Sequence, residues 1–379
     1  MTDFLRQAQL SRRELLALMA AAGGAMLVPE WLIAGDLDPR VSHIVSSTIT
    51  VDLHSHVPIT YIREGQPPAP DVAGPSSDSN FAAEMHRAGL SALCYTYAVD
   101  HAANTRPGEY YKLHMQALDE EDRLFAQHKV SRALNLKDLQ GAHKKGEPAM
   151  ILTCEGAQFL EGKLNRVEEA YRHGLRVMQI VHHDHDKVAP LGDIQSPANE
   201  FGGLTPFGAE VVRECNRLHI VLDLAHAAFS TVKGVLKATT QPITITHTAL
   251  DTPLGRAGQS ESMLQRLVTR EHAKAVADAG GIIGVWKSFK TLENLVTGIK
   301  EMADVVDVDH LGIGTDTFVS QPASMARRRE LVNDVWPDHP GGFVYKVANE
   351  MLRQGFTPAE TSKVIGGNFC RYFGKLTAG

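Results

Sequence analysis

Histidine and carboxylate side chains follow short apolar runs at several points along this chain, which is the pattern expected of a metal site. His54 and His56 stand one residue apart directly after such a run. In an extended segment, two residues at this spacing project to the same side, so both imidazoles can reach one metal ion. Five more residues occupy positions of this kind: Glu155, His182, His226, His247 and Asp316. Nitrogen and oxygen donors of these types predict a zinc-type centre that activates water.

Each of these residues alone has a simpler interpretation. A lone histidine at a strand end often bonds nearby backbone, and a lone carboxylate often caps the following helix. Seven such residues together favour a metal site, and a carboxylate between two groups of histidines suggests a dinuclear one bridged by Glu155. Asp316 would then take a proton or hold a substrate amine, while His182 would donate a hydrogen bond to the developing oxyanion.

Eight short apolar runs alternate with amphipathic stretches, and this alternation is typical of repeated βα units. The runs cover residues 48–53, 90–98, 149–154, 176–181, 220–224, 243–246, 282–286 and 310–313. Helices are predicted over 206–218, 230–238 and 270–279, the first with Thr205 as its cap and Pro206 in its first turn. Polar segments at 64–80 and 319–342 are predicted to be loops. The pattern predicts an α/β fold, a (β/α)8 TIM barrel with the polar residues at its carboxyl-terminal mouth.

The composition is that of a soluble globular protein, with 379 residues, 43% hydrophobic residues and a net charge of −6. Nothing in it predicts nucleic acid as a partner. Ser11-Arg12-Arg13 precedes an apolar stretch at 18–28, a form typical of a twin-arginine export signal. We therefore expect residues 1–35 to be this signal, cleaved or kept as a membrane anchor, and the protein to be periplasmic. Residues 36–379 are expected to form a single catalytic barrel, with buried free thiols at Cys94, Cys154, Cys215 and Cys370.

From position 51 to its carboxyl terminus, the chain resembles the membrane (renal) dipeptidase family, an amidohydrolase-like group. The resemblance includes the residues above and several short motifs: Gly174-Leu175-Arg176 before His182, residues 203–208 opening a helix, Asp223-Leu224-Ala225-His226, Thr246-His247-Thr248, and residues 366–369. It implies two zinc ions, or other divalent metals, with His54 and His56 on one, His226 and His247 on the other, and Glu155 bridging. It also implies that His182 contacts the scissile carbonyl and that Asp316 assists proton transfer.

An arginine for the substrate carboxylate is also implied, and Arg266 is favoured over Arg256. A homodimer is an expectation from the family alone. The chain departs from the family pattern in two places: His56 replaces a typical Asp, and Thr317-Phe318-Val319 stands where another acidic residue is usual. The expected activity is hydrolysis of a dipeptide. The alternatives are hydrolysis of another amide, an N-acyl amino acid or a lactone, and a periplasmic binding or scaffold protein without catalysis.

Overall fold

A computed structural model of the chain describes residues 37–56, 81–100, 106–182, 189–196, 200–286, 289, 291–318 and 341–377. These residues all fall within one compact unit, Leu37–Gly379. The predicted export signal, the predicted loop at 64–80 and nearly all of the predicted loop at 319–342 lie outside the described residues. Among the helices that are described, none has both the length and the apolar character needed to cross a membrane.

Eight parallel strands form a closed barrel, which confirms the predicted fold. The strands are β1 Val51–His56, β2 Ala92–Ala98, β3 Ala149–Glu155, β4 Leu175–Gln179, β5 Val221–Asp223, β6 Thr244–Thr248, β7 Ile282–Trp286 and β8 Leu311–Gly314. Each strand pairs with the next, and β8 closes the barrel by pairing with β1 at Asp52 and Ile313. Two short strands were not predicted: Ser131–Arg132 beside β3, and Thr317–Phe318 beside β1.

Helices surround the barrel on its outside. In chain order they are α1 Val41–Ser47, α2 Phe81–Ala88, α3 Glu109–His128, α4 Leu136–Lys145, α5 Asn165–Arg172, α6 Pro206–Arg217, α7 Phe229–Ala238, α8 Pro253–Arg256, α9 Glu261–Leu264, α10 Arg270–Asp278, α11 Leu292–Val306, α12 Phe343–Arg353, α13 Pro358–Ser362 and α14 Asn368–Leu376. Short 3-10 turns occur at Gln158–Leu160 and Val308–His310, and a π-type turn at Lys363–Gly367. The Thr205 side chain accepts the Gly208 N–H at 3.0 Å, which confirms the predicted cap of α6.

The strands are buried on both faces, which explains why they appear in the sequence as nearly continuous apolar runs. All seven residues of β2 and all seven of β3 are buried. Cys94, Cys154 and Cys215 are buried free thiols as expected, and Cys370 is a half-buried one.

Two glycines let the backbone of three neighbouring strands approach closely. A Cβ atom at Gly284 on β7, or at Gly314 on β8, would lie 1.8 Å from the carbonyl oxygen of Thr246 on β6. No side chain can be added at that separation without moving backbone. The Thr246 carbonyl therefore packs directly against the backbones of both β7 and β8.

Candidate metal centre

The seven predicted histidine and carboxylate residues of the site lie at the carboxyl ends of barrel strands, where they converge. His54 and His56 are in the second half of β1, Glu155 is the last residue of β3, and His247 is in β6. Three others follow their strands by two or three residues: His182 after β4, His226 after β5 and Asp316 after β8. Parallel strands bring these ends to one mouth of the barrel, so residues far apart in sequence meet there.

Glu155 stands at the centre of the cluster and is buried. One of its oxygens, Oε1, lies 3.5 Å from His54 Nε2, 3.3 Å from His182 Nε2, 3.4 Å from His226 Nε2 and 3.6 Å from His247 Nε2. Its other oxygen, Oε2, lies 3.4 Å from His56 Nε2. A single carboxylate thus contacts the same ring nitrogen of five histidines, which is the arrangement expected of a ligand shared by two metal sites.

Hydrogen bonds on the far side of three rings determine which nitrogen faces the centre. His56 Nδ1 lies 3.1 Å from the carbonyl oxygen of Thr96, which can only accept, so Nδ1 carries the proton and Nε2 keeps its lone pair. His54 Nδ1 and His247 Nδ1 both contact the hydroxyl of Thr246, at 3.2 and 3.0 Å. The Nε2 atoms face inward in pairs, 3.3 Å apart for His54 and His56 and 3.0 Å apart for His226 and His247.

The electrostatics of the cluster favour a cation. Burial lowers the pKa of His226 to about 3 and holds that of His247 well below its ordinary value, so both rings are neutral near pH 7. Burial alone would raise the pKa of Glu155, but the surrounding imidazoles, His182 and His54 foremost, outweigh it and keep this carboxyl ionised. Inward lone pairs this close repel one another unless a cation shares them. The donor set therefore fits a divalent metal such as zinc.

Three triads of buried or nearly buried ligand-type residues are close enough to hold an ion: His54, His56 and Glu155; Glu155, His226 and His247; and His54, Asp223 and His247. The first two share Glu155 and together contain the five predicted ligands. The third adds Asp223, which was not among the predicted site residues.

His182 belongs to a second layer, in which its partner is Asp100. Asp100 Oδ1 lies 2.8 Å from His182 Nδ1, and both side chains are buried. The other Asp100 oxygen accepts a hydrogen bond from Gln158 Nε2 at 3.2 Å. Burial opposes a charge on His182, but Glu155 and Asp100 outweigh it and raise its pKa to about 8. Sequence reasoning missed Asp100, although it follows β2 just as the other site residues follow their strands.

Asp316 and Arg266 complete the side of the site next to β1. Asp316 Oδ1 lies 3.3 Å from His56 Nε2, and Asp316 Oδ2 lies 3.7 Å from Arg266 Nη1. The Arg266 guanidinium carbon is 5.6 Å from the centre of the Trp286 ring. Arg256 instead pairs with Asp251 and is 55% exposed, so of the two candidate arginines the fold brings only Arg266 to the cluster.

Two of the site residues have a left-handed backbone that is unusual outside glycine. The φ angle is 65° at His226 and 49° at Asp316. Such conformations cost on the order of 1–3 kcal/mol and persist where surrounding contacts enforce them. The Asp316 N–H donates to the His54 carbonyl oxygen at 2.8 Å, which ties this turn to β1.

Comparison with known proteins identifies relatives along nearly the whole chain. The family profile described as membrane dipeptidase (peptidase family M19) matches residues 39–378. Among curated proteins, dipeptidase tcpJ of Claviceps purpurea (strain 20.1) is 22% identical over 251 residues. That alignment covers 66% of this chain and 55% of the relative, so the chain spans about half the length of the curated relative it matches.

Solved structures share the fold. An amidohydrolase from Pseudomonas aeruginosa has a TM-score of 0.70 at 20% identity, covering 89% of this chain and 99% of its own. A metallopeptidase from Rhodobacter sphaeroides, solved with a phosphinate mimic of the dipeptide L-Ala-D-Ala, has a TM-score of 0.62 at 18% identity. Here the coverage is 86% of this chain and 99% of that one. At these identities the likeness establishes a common fold.

Proposed function

Because this chain belongs to the membrane dipeptidase family, we propose that it is a metal-dependent hydrolase that cleaves the peptide bond of dipeptides. The observation that carries the proposal is the contact of one buried carboxylate, Glu155, with inward-facing imidazole nitrogens on both of its oxygens. We further propose that two zinc ions occupy the cluster. The export signal predicted from the sequence would place this activity in the periplasm.

The proposed ligands divide into two sets. His54 and His56 would hold one ion and His226 and His247 the other, with Glu155 shared, in keeping with the two triads that contain Glu155. Bound divalent metals supply a Lewis acid for the substrate carbonyl and lower the pKa of water toward neutrality. The neutral rings of His226 and His247 can act as ligands without first losing a proton.

The residues around the ligands would bind the substrate and move its protons. His182, held by Asp100, carries both ring protons at neutral pH and can direct Nε2–H at the oxygen of the scissile carbonyl. Burial opposes ionisation of Asp316, but the neighbouring imidazoles of His56, His247 and His54 outweigh it and hold its pKa well below the ordinary value. Asp316 is therefore an ionised base that can accept a proton from water.

Hydrolysis would then proceed by addition and elimination. Oxygen from water forms a bond to the carbonyl carbon, and its proton passes to Asp316. The C–N bond breaks as Asp316 returns that proton to the leaving amine. Arg266, 3.7 Å from Asp316 at its nearest nitrogen, is placed to pair with the carboxylate of a dipeptide, which matches the planar fork of a guanidinium.

One observation favours a second substrate class. Where the family usually has another acidic residue, Thr317 and Phe318 form a short strand paired with Ser55 and His56. The Ser55 hydroxyl also donates to the Thr317 carbonyl oxygen at 3.0 Å. A carboxylate that could bind a free substrate amine is thus replaced at this position. Substrates without that amine, such as N-acyl amino acids, are the alternative.

The test combines metal analysis with a substrate panel. Purified protein should contain two equivalents of metal per chain, and a chelator should remove both the metal and the activity. Dipeptides should be hydrolysed faster than N-acetyl amino acids or lactones, and Glu155→Gln should nearly abolish turnover. Hydrolysis of N-acetyl amino acids alone would replace the dipeptide proposal with the alternative. Full activity in metal-free protein would refute both.

A further inference from the structure

Thr246 and Asp223 lie behind the proposed ligands and contact both halves of the cluster. Thr246 is buried within β6, and its hydroxyl contacts His54 Nδ1, His247 Nδ1 and Asp223 Oδ2. We infer that the Thr246–Asp223 pair is a positioning device that sets the tautomer of one histidine in each metal site at once. This inference rests on the proposed function in that it assumes the cluster binds metal.

A count of protons supports the inference. The Thr246 hydroxyl has one proton and can accept two hydrogen bonds. Its contact with Asp223 Oδ2, at 2.5 Å, is the shortest of the three and involves an oxygen that accepts when ionised. With its proton directed to Asp223, the hydroxyl can only accept from the two rings. Nδ1 of His54 and of His247 must then both carry protons, which leaves both Nε2 lone pairs for metal.

The same contacts explain why Asp223 is a support and not a ligand. Its Oδ1 accepts the backbone N–H groups of Ala225 and Thr246, each at 3.0 Å, and its Oδ2 accepts the Thr246 hydroxyl. Donors within the protein therefore already occupy three of the roughly four lone-pair positions of this carboxylate. The third ligand-type triad, of His54, Asp223 and His247, is then the back of the two proposed sites and not a third site.

The neighbouring strands hold this pair in place. The carbonyl of Thr246 fills the space that side chains at Gly284 and Gly314 would need. The Thr246 hydroxyl is accordingly presented from a backbone that cannot shift toward β7 or β8. Because Thr246 supports His54 and His247 together, loss of its hydroxyl should weaken the binding of both ions, although the two histidines belong to different proposed sites.

The test compares four variants of the full chain by zinc stoichiometry and by zinc affinity in chelator competition. Thr246→Val removes the hydroxyl at nearly constant shape and should weaken binding of both ions, by about 10- to 100-fold each. Thr246→Ser restores a hydroxyl and should bind like wild type. Asp223→Asn places an NH2 group against the Thr246 oxygen, so the Thr246 hydroxyl proton turns toward His54 or His247. This variant should therefore lose zinc affinity as Thr246→Val does.

Thr244→Val is the matched control. Thr244 is a buried threonine two residues earlier in β6, and its hydroxyl donates to the Ile282 carbonyl oxygen at 2.8 Å, away from the ligands. This variant should lose stability without losing zinc. If Thr246→Val and Asp223→Asn bind both ions with wild-type affinity, or bind only one ion more weakly, the inference is wrong but the proposed function stands. If the wild-type protein takes up no zinc, both the inference and the proposed function are wrong.

Discussion

Replacement of Asp100 by Asn tests whether His182 is held in its working form by a buried carboxylate. In the wild type, His182 Nδ1–H donates to Asp100 Oδ1 at 2.8 Å and Gln158 Nε2–H donates to Oδ2 at 3.2 Å. An asparagine at position 100 has one acceptor and one NH2 group. In either orientation it therefore places a donor against a donor, at His182 or at Gln158.

The expected magnitude follows from what His182 is proposed to do. Without the carboxylate, the ring loses the charge that stabilises its second proton, and in one of the two asparagine orientations it also loses the acceptor that orients it. Loss of one aligned donor to a developing oxyanion costs about 100- to 1,000-fold in rate, or about 2.7–4 kcal/mol. We expect Asp100→Asn to lower kcat/KM by about 100-fold, mostly through kcat, with metal content unchanged.

The assay is a double-mutant cycle on a dipeptide that the wild type hydrolyses. His182→Gln should cost as much as Asp100→Asn or more, and the double variant should be no slower than His182→Gln, because Asp100 acts through that ring. Zinc analysis and circular dichroism check that each variant keeps its metal and its fold. If the two substitutions act independently, their losses multiply and the double variant is slower than wild type by about 10,000-fold or more. That result would refute the reasoning, as would unchanged turnover in Asp100→Asn.

Three further predictions concern other residues. His56→Asp replaces an imidazole with a harder oxygen ligand, so the preference for zinc over manganese should fall several-fold in competition titrations; an unchanged ratio would exclude His56 as a ligand. Arg266→Lys should raise KM about tenfold for substrates with a free carboxylate but not for their amides, while Arg256→Lys should change neither. His272 is buried, and burial lowers its pKa to about 4, so the folded state binds fewer protons than the unfolded state between pH 6.5 and 4. The free energy of unfolding should therefore decrease as the pH is lowered through this window. His272→Phe lacks this titration, so on going from pH 7 to pH 5 its free energy of unfolding in urea should gain about 2 kcal/mol relative to that of the wild type; a constant difference would contradict this.

The fold was predictable because the barrel strands are buried on both faces and so stand out as apolar runs. The run at 282–286 coincides with β7, and the run at 149–154 ends one residue before the end of β3. The two-residue strands at Ser131 and Thr317 were not predictable, since pairing this short depends on a neighbouring strand already being in place. Convergence of the site residues followed from strand direction alone.

The supporting residues could not be predicted in the same way. Thr246 contacts His54 across 192 positions of sequence, and only the closure of the barrel brings β6 and β1 together behind the site. Asp100 has the strand-end position of a site residue, but a single Asp there is equally typical of a helix cap. The choice between Arg266 and Arg256 depends on how the segment after His247 folds, since both are arginines on the same stretch.

The close packing of Gly284 and Gly314 against the Thr246 carbonyl bears on how this protein can evolve. These backbone contacts form the floor of the site, and they leave no room for a larger residue at either glycine. Adaptive substitutions are therefore expected elsewhere. Mutations that alter substrate range should accumulate in segments beyond the strand ends, such as the one that carries Arg266. A library of variants selected for a new substrate should leave both glycines untouched, which makes them a sequence marker for barrels that share this floor.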